Sequence, residues 1–270
     1  MRLNPLGRRR SRSCPDAGSR FRWTSRSHSH VGLVRAVNED ACLDRPERGV
    51  WAVADGMGGH SVGDFASRMV VEALSNVPPL SSLESFVTDT RARLQAVNRD
   101  LRAELKRRDV AVIGSTVAVL LACGRRCGFL WAGDSRIYLY RDGRLRLLTR
   151  DHNRLEELKA RGLVTAEEAA DHPARFRVTR AVGVLAALDL DEGAVEAHDG
   201  DVFLLCSDGL NSEVSEREIA GALLSGNCQQ ASGKLIDLAL ARGGRDNISA
   251  VVVRAEDLDS GDRTLFNPAL

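Results

Sequence analysis

Aromatic residues are scarce: Phe, Trp and Tyr together make up 4% of the 270 residues. Proteins that hold single-stranded nucleic acid stack bases on aromatic side chains along a basic groove, and this composition offers little for that purpose. The formal net charge is only +1, so there is no molecule-wide field to attract a polyanion. Long apolar runs are missing too. The longest, Ala111 to Cys123, is broken by Gly114, Ser115 and Thr116 and is too short to span a bilayer. The six cysteines include no CxxC pair. Cys123 and Cys127 lack the second Cys or His pair that a zinc site needs. Cys42, Cys123 and Cys206 lie in apolar stretches, where a free cysteine acts as a small core residue. The N-terminus carries no apolar segment of the kind that makes a secretory signal. These absences predict a cytoplasmic, reduced protein with no nucleic acid partner and no transmembrane segment.

What is present is unevenly spread. Residues 1–26 hold eight arginines and one acid, Asp16, a net of +7 that leaves the remainder at −6. The tail also has Ser, Pro and Gly and little apolar periodicity, which predicts disorder over residues 1–26. The mildly acidic body suits a protein that binds divalent cations. The expected organisation is one domain over residues 27–255, between the basic tail and a polar, fraying tail over 256–270.

Within the body, Val31 to Asp40 reads as a short strand ending in polar residues. Gly49 to Ala54 is a β-rich apolar run that stops at the turn signal Asp55-Gly56. Phe65, Ala66, Met69, Val70 and Ala73 recur at helical spacing, and Pro78-Pro79 ends that helix. Leu83 to Arg107 predicts a helix with one apolar face. Strands are expected at 111–122, 128–132, 136–140 and 144–149, with Asp142-Gly143 as a type I′ hairpin turn. Residues 155–178 are charged and helix-like, a surface insertion. A further strand over 201–207 ends at Asp208-Gly209. Two helices and a last strand at 248–253 follow. This order predicts an α+β layered sandwich with mostly antiparallel sheets.

The chemistry is suggested by where the acids fall. Glu39-Asp40, Asp55, Asp134, Asp208 and Asp246 each stand at the end of a predicted buried strand, where an unpaired carboxylate is costly to desolvate. Asp-Gly and Asp-Asn pairs are common turn formers singly. Several at strand ends in separate segments point to convergence on a cation. Oxygen-only ligands favour Mg²⁺ or Mn²⁺ over zinc. Two such ions can activate a water for in-line attack at phosphorus. The glycines of Asp55-Gly56-Met57-Gly58-Gly59 let backbone carbonyls approach a ligand closely.

These segments, in order, resemble the metal-dependent protein phosphatases of the 2C type in their bacterial form. Arg35-Ala36-Val37-Asn38-Glu39-Asp40 resembles the R-x-x-x-E-D opening. Val53-Ala54-Asp55-Gly56-Met57-Gly58-Gly59-His60 resembles the VADGMGGH signature. Gly114-Ser115-Thr116, Gly133-Asp134-Ser135-Arg136, Thr149-Arg150-Asp151-His152, Leu205-Cys206-Ser207-Asp208-Gly209-Leu210 and Asp246-Asn247-Ile248-Ser249 are similar to five further family elements. The match spans about residues 27–254.

The resemblance implies an αββα fold of four layers, two antiparallel sheets flanked by helices. It implies serine/threonine protein phosphatase activity with two Mn²⁺ or Mg²⁺ ions and a weaker third. Asp55 would bridge the pair. The Gly56 carbonyl, Glu39 and Asp40 would serve one ion, Asp208 and Asp246 the other, and Asp134 the third. Asn247 would support the ligands, and Arg35 would hold the substrate phosphate. Phosphorylated proteins and a cognate Ser/Thr kinase are the implied partners of a monomer. Ser29-His30-Val31-Gly32 and the compact layout resemble phosphatases that accompany bacterial type VI secretion. The flap beside the family's active site falls on 155–178. One position departs from animal members, which carry a proton-donating His after the Asp-Gly. Met57 stands there and cannot donate a proton, which leaves metal-bound water, His60 and His152 as candidate acids. A non-catalytic module of the same fold, a nuclease and a small-molecule phosphoesterase are the rival readings. All the metal carboxylates are present, and the body is acidic and poor in aromatics, which disfavours the first two.

Overall fold

Strand by strand, the apolar runs split their side chains between two cores. The computed structural model describes residues 21–58, 62–78, 82–169 and 172–259. One five-stranded sheet runs β1 (Phe21–His30), β11 (Ile248–Asp257), β10 (Val202–Cys206), β7 (Arg136–Arg141), β8 (Arg144–Leu147). The other runs β2 (Asp40–Arg45), β3 (Val50–Met57), β5 (Val117–Cys123), β6 (Arg126–Ala132), β9 (Asp191–Glu196), with β4 (Gly114–Ser115) paired to β3. All pairings are antiparallel.

In β10, Val202, Leu204 and Cys206 face the helices α6 (Glu216–Leu223) and α7 (Cys228–Ala241), while Phe203 and Leu205 face the opposite sheet. In β5, Val117, Val119 and Leu121 meet α1 (Val62–Ser75) and α2 (Leu83–Arg108), while Ala118 and Leu120 point between the sheets. A strand buried on both faces must be apolar at every position, which is why these runs show no alternation. The result is the expected four-layer αββα sandwich. Asp142 and Gly143 both take positive φ (49° and 77°) in the β7–β8 turn, as a type I′ hairpin requires. Among the described residues no helix is long and apolar enough to cross a membrane.

Three expectations need correction. Residues 21–26, assigned to a disordered tail, form the first part of β1, in register with 252–257 of β11. Trp23 packs on Trp51 and Phe203, with ring centroids 5.5 and 6.2 Å apart. Arg22 faces out and pairs with Glu256, so arginine content concealed a strand. The other end of the domain likewise extends to Asp257. Residues 1–20 and 260–270 lie outside the described residues. Second, 31–39 is a loop, with its Val31 and Val37 carbonyls held by the Asn247 side chain. Third, Asp191–Glu196 is an additional edge strand, missed because its exposed face carries acids. The 155–178 insertion folds as α3 (Arg154–Ala160), α4 (Ala166–Ala169) and a turn at Pro173–Phe176, around Leu155, Ala169 and Ala174.

Candidate metal centre

Antiparallel pairing brings the acids to one end of the sandwich. Asp40 opens β2 directly opposite Asp55 near the end of β3. Asp134 follows β6, and Asp208 follows β10 as the first residue of the short helix α5 (Asp208–Asn211). Asp246 precedes β11, the partner of β10. The two sheets are tied at this end: Ser207 Oγ donates to Asp40 Oδ2 at 2.7 Å, and Ser249 N–H donates to Ser207 Oγ at 3.0 Å. Asp55 is held through its backbone, its N–H donating to Thr116 Oγ1 at 3.1 Å.

The carboxylates repel one another. Burial, then the charges of Asp40, Asp208, Asp134 and Asp246, push the Asp55 pKa well above the usual carboxylate range. Asp134 is raised in the same way, by burial and then Asp208. Burial raises Asp40 to about 7, and burial together with Asp246 raises Asp208 to about 6. Asp40, Asp208, Asp134 and Asp246 all act on Asp55, which puts Asp55 in the midst of the group. Two buried oxygens, Glu39 Oε1 and Asp40 Oδ1, have no hydrogen-bond partner. A buried acceptor left unpaired beside like charges is strongly disfavoured unless a cation completes it. The donor set is all oxygen, so the residues fit hard divalent ions. Among the described residues no group of three or more His, Cys, Asp or Glu side chains stands in a finished metal-binding arrangement; Asp246 is turned to Arg35 and Asp40 to Ser207.

Gly56 is pressed between Gly63 and Glu39: a Cβ there would lie 2.0 Å from Gly63 O and 2.7 Å from Glu39 O. Only glycine lets β3 run this close to the start of α1, where Glu39 packs on Gly63. Arg35 reaches over the cluster, and its Nη2 donates to Asp246 Oδ2 at 2.7 Å. That bond and the charge behind it raise the Arg35 pKa, and its side chain stays 56% exposed.

Asn247 binds the loop that carries Arg35. Its Nδ2 donates to Val31 O and Val37 O, both at 2.9 Å, and its Oδ1 accepts from Glu39 N–H at 2.8 Å. Asn247→Ala strips three partners from these backbone groups. It should cost about 2–4 kcal/mol, readable in urea unfolding as a lower midpoint at unchanged slope. An unchanged midpoint would mean the loop is held by other contacts.

Sequence reading missed some supports. Arg136 grips Asp151 through two bonds of 2.8 Å, joining the Asp134 turn to the Thr149–His152 segment. His152 stacks on Trp131, its Nδ1 accepts from Gly133 N–H, and its Nε2 meets Asp191. Burial lowers its pKa. It braces the Asp134 turn, with both ring nitrogens engaged by the protein. The short Ser-Asp-Gly and Asp-Ser-Arg motifs were the available signal for Ser207 and Arg136. His60 and Gly59 lie outside the described residues.

The family model described as Protein phosphatase 2C matches residues 24–234. The chain belongs to the protein phosphatase 2C family. It is 37% identical over 244 residues to the serine/threonine protein phosphatase PstP of Mycobacterium tuberculosis (strain H37Rv), covering 89% of this chain. The match spans 46% of that relative, about half its length. Among solved structures, the phosphatase-family chain is similar to PppA, described as a key regulatory component of the type VI secretion system in Pseudomonas aeruginosa. Identity is 46% and TM-score 0.81, over 86% of this chain and 97% of that one. It is also similar to the catalytic domain of PstP in complex with two manganese ions, at 35% identity and TM-score 0.80, over 88% of this chain and 100% of that one. The two-sheet architecture of this family member accords with those folds.

Proposed function

We propose that this chain is a protein-serine/threonine phosphatase that works with two Mn²⁺ or Mg²⁺ ions. The observation that carries the reading is the convergence of five aspartates beneath one exposed arginine, with unpartnered buried oxygens on Asp40 and on the adjacent Glu39. Asp55 would be shared between the ions; Glu39, Asp40 and the Gly56 carbonyl would hold one, Asp208 and Asp246 the other, and Asp134 a third. When bound, the ions supply an activated water and neutralise charge at phosphorus. The protein's own part is positioning. Arg35 forms a charge-assisted pair with the phosphate, exchanging its bond to Asp246 for the substrate. Asn247 holds the Arg35 loop, and Thr116 and Ser207 hold Asp55 and Asp40. The proposal extends to a cytoplasmic monomer that reverses a Ser/Thr kinase, and similarity to PppA, described as a regulatory component of type VI secretion, favours that setting.

The test is hydrolysis of phosphoserine, phosphothreonine and phosphotyrosine peptides. Turnover of the first two is expected with Mn²⁺ or Mg²⁺ and none in EDTA. Full activity in excess chelator would end the two-metal reading.

A further inference from the structure

The two flanks of the carboxylate cluster differ in chemistry. On the Asp134 and Asp208 side lies a cavity of about 250 Å³ lined by charged groups, including Arg136, Asp151, Glu156 and Lys159. Its charges are largely paired internally, Arg136 with Asp151 and Lys159 with Glu156. On the Arg35 side the loop Val31 to Asn38 has one charge, Arg35 itself, among aliphatic residues. Leu33 is 66% exposed and Val34 69%, the two most exposed large hydrophobic residues among those described, and Val37 is half exposed.

This loop is rigid. Asn247 ties its two feet. Leu33 N–H donates to Gly244 O at 2.7 Å. Gly32, at φ +84°, sits so close to the Asp246 and Gly244 carbonyls that no Cβ would fit. Scattered exposed aliphatics need no explanation. Two adjacent ones, on a loop braced from both ends and next to the arginine over the acidic cluster, form a pre-organised apolar surface. Val34 is one residue from Arg35, a Cα step of about 3.8 Å. A polypeptide whose phosphate sits on Arg35 would therefore run beside this loop.

We infer that Leu33 and Val34 are specificity-determining residues that take an apolar side chain flanking the phosphorylated Ser or Thr of the substrate. This rests on the phosphatase reading. The loop carries no charge other than Arg35, and Leu33 and Val34 offer only aliphatic carbon, so a charged or strongly polar neighbour gains nothing by being desolvated against them, whereas a Leu or Val neighbour removes apolar area from water on both sides.

The experiment measures kcat/KM with Mn²⁺ for phosphothreonine peptides carrying either Leu or Ser at the two positions on each side of the phosphoresidue. Wild type should prefer an apolar flank by about tenfold, which is about 1.4 kcal/mol. In the Leu33→Ser/Val34→Ser double variant the preference should fall to within about twofold. Its kcat/KM on the Ser-flanked peptide should stay near wild type, with the change on the apolar peptide appearing mainly in KM. Leu33→Ala and Val34→Ala, with melting temperatures checked, guard against a folding defect. A wild type blind to the flank, or a double variant that keeps the preference, would overturn the assignment. So would a loss seen only with a whole phosphoprotein, which would make the rim a docking surface for another part of the partner. If wild type hydrolyses neither the peptides nor p-nitrophenyl phosphate, the phosphatase reading itself fails.

Discussion

Asp55→Asn should raise the melting temperature of the metal-free protein while reducing turnover by about 10³-fold or more. Both effects come from one carboxylate. Without cations, Asp55 stands in the field of Asp40, Asp208, Asp134 and Asp246, and its pKa is pushed up by burial and by their charge. An acid whose folded-state pKa is raised contributes stability that is complete below its unfolded value and lost as pH rises through the folded one. With Asp208 at about 6 and Asp40 at about 7, the metal-free protein is penalised by neutral pH. The amide removes a charge of the same size and shape and relieves part of that repulsion. It also removes the proposed bridge between two ions whose charge stabilisation is worth several kcal/mol, and each 1.4 kcal/mol is a factor of ten in rate. The same linkage predicts that acidifying metal-free wild type from pH 7.5 to 6.5 raises its melting temperature. His152 opposes this at lower pH, because its lowered pKa means that protonation below about 6.5 destabilises the fold. Wild-type turnover in the variant, or a wild-type melting temperature that falls over that interval, would defeat the electrostatic account.

Deleting residues 1–26 should lower the melting temperature by about 10–20 °C relative to deleting 1–20. The additional six residues are the first part of β1 and carry Trp23, which packs on Trp51 and Phe203. Losing a large aromatic from such a contact costs about 3–5 kcal/mol, and each kcal/mol shifts a domain of this size by about 2–4 °C. The shortened strand also leaves backbone groups of β11 from Val252 to Asp257 without their partners. Measuring both deletions by thermal unfolding isolates the strand from the rest of the basic segment. Equal melting temperatures would return residues 21–26 to the tail.

Much of this arrangement was legible locally. Strands buried on both faces announce themselves as apolar runs: β10 lies within a residue of the expected 201–207 at each end, while the expected 111–122 strand is β5 (Val117–Cys123) preceded by the two-residue β4. The acids at the ends of those runs were visible for the same reason, since a carboxylate beside a buried strand needs a compensating partner. Three features stayed hidden. β1 was masked because Arg22 and Arg26 fill its exposed positions around Trp23. Asp191–Glu196 was missed because an edge strand keeps one polar face. The 31–39 loop was mistaken for a strand because its apolar residues face solvent.

The sequence by itself determined which residue types bear the chemistry and that they stand at strand ends, because patterning and turn chemistry act over a few neighbours. Only the tertiary structure decided which of them meet. Arg35 and Asp246 are 211 residues apart, and Ser207 and Asp40 are 167 apart. Their contacts follow from antiparallel registers that bring the start of one strand to the end of the next, and from two sheets closing over a shared core. The exposure of Leu33 and Val34 was decided at the same level: an apolar residue is assigned to a core by default, and only the hydrogen bonds of Asn247 and Gly244 hold these two outward.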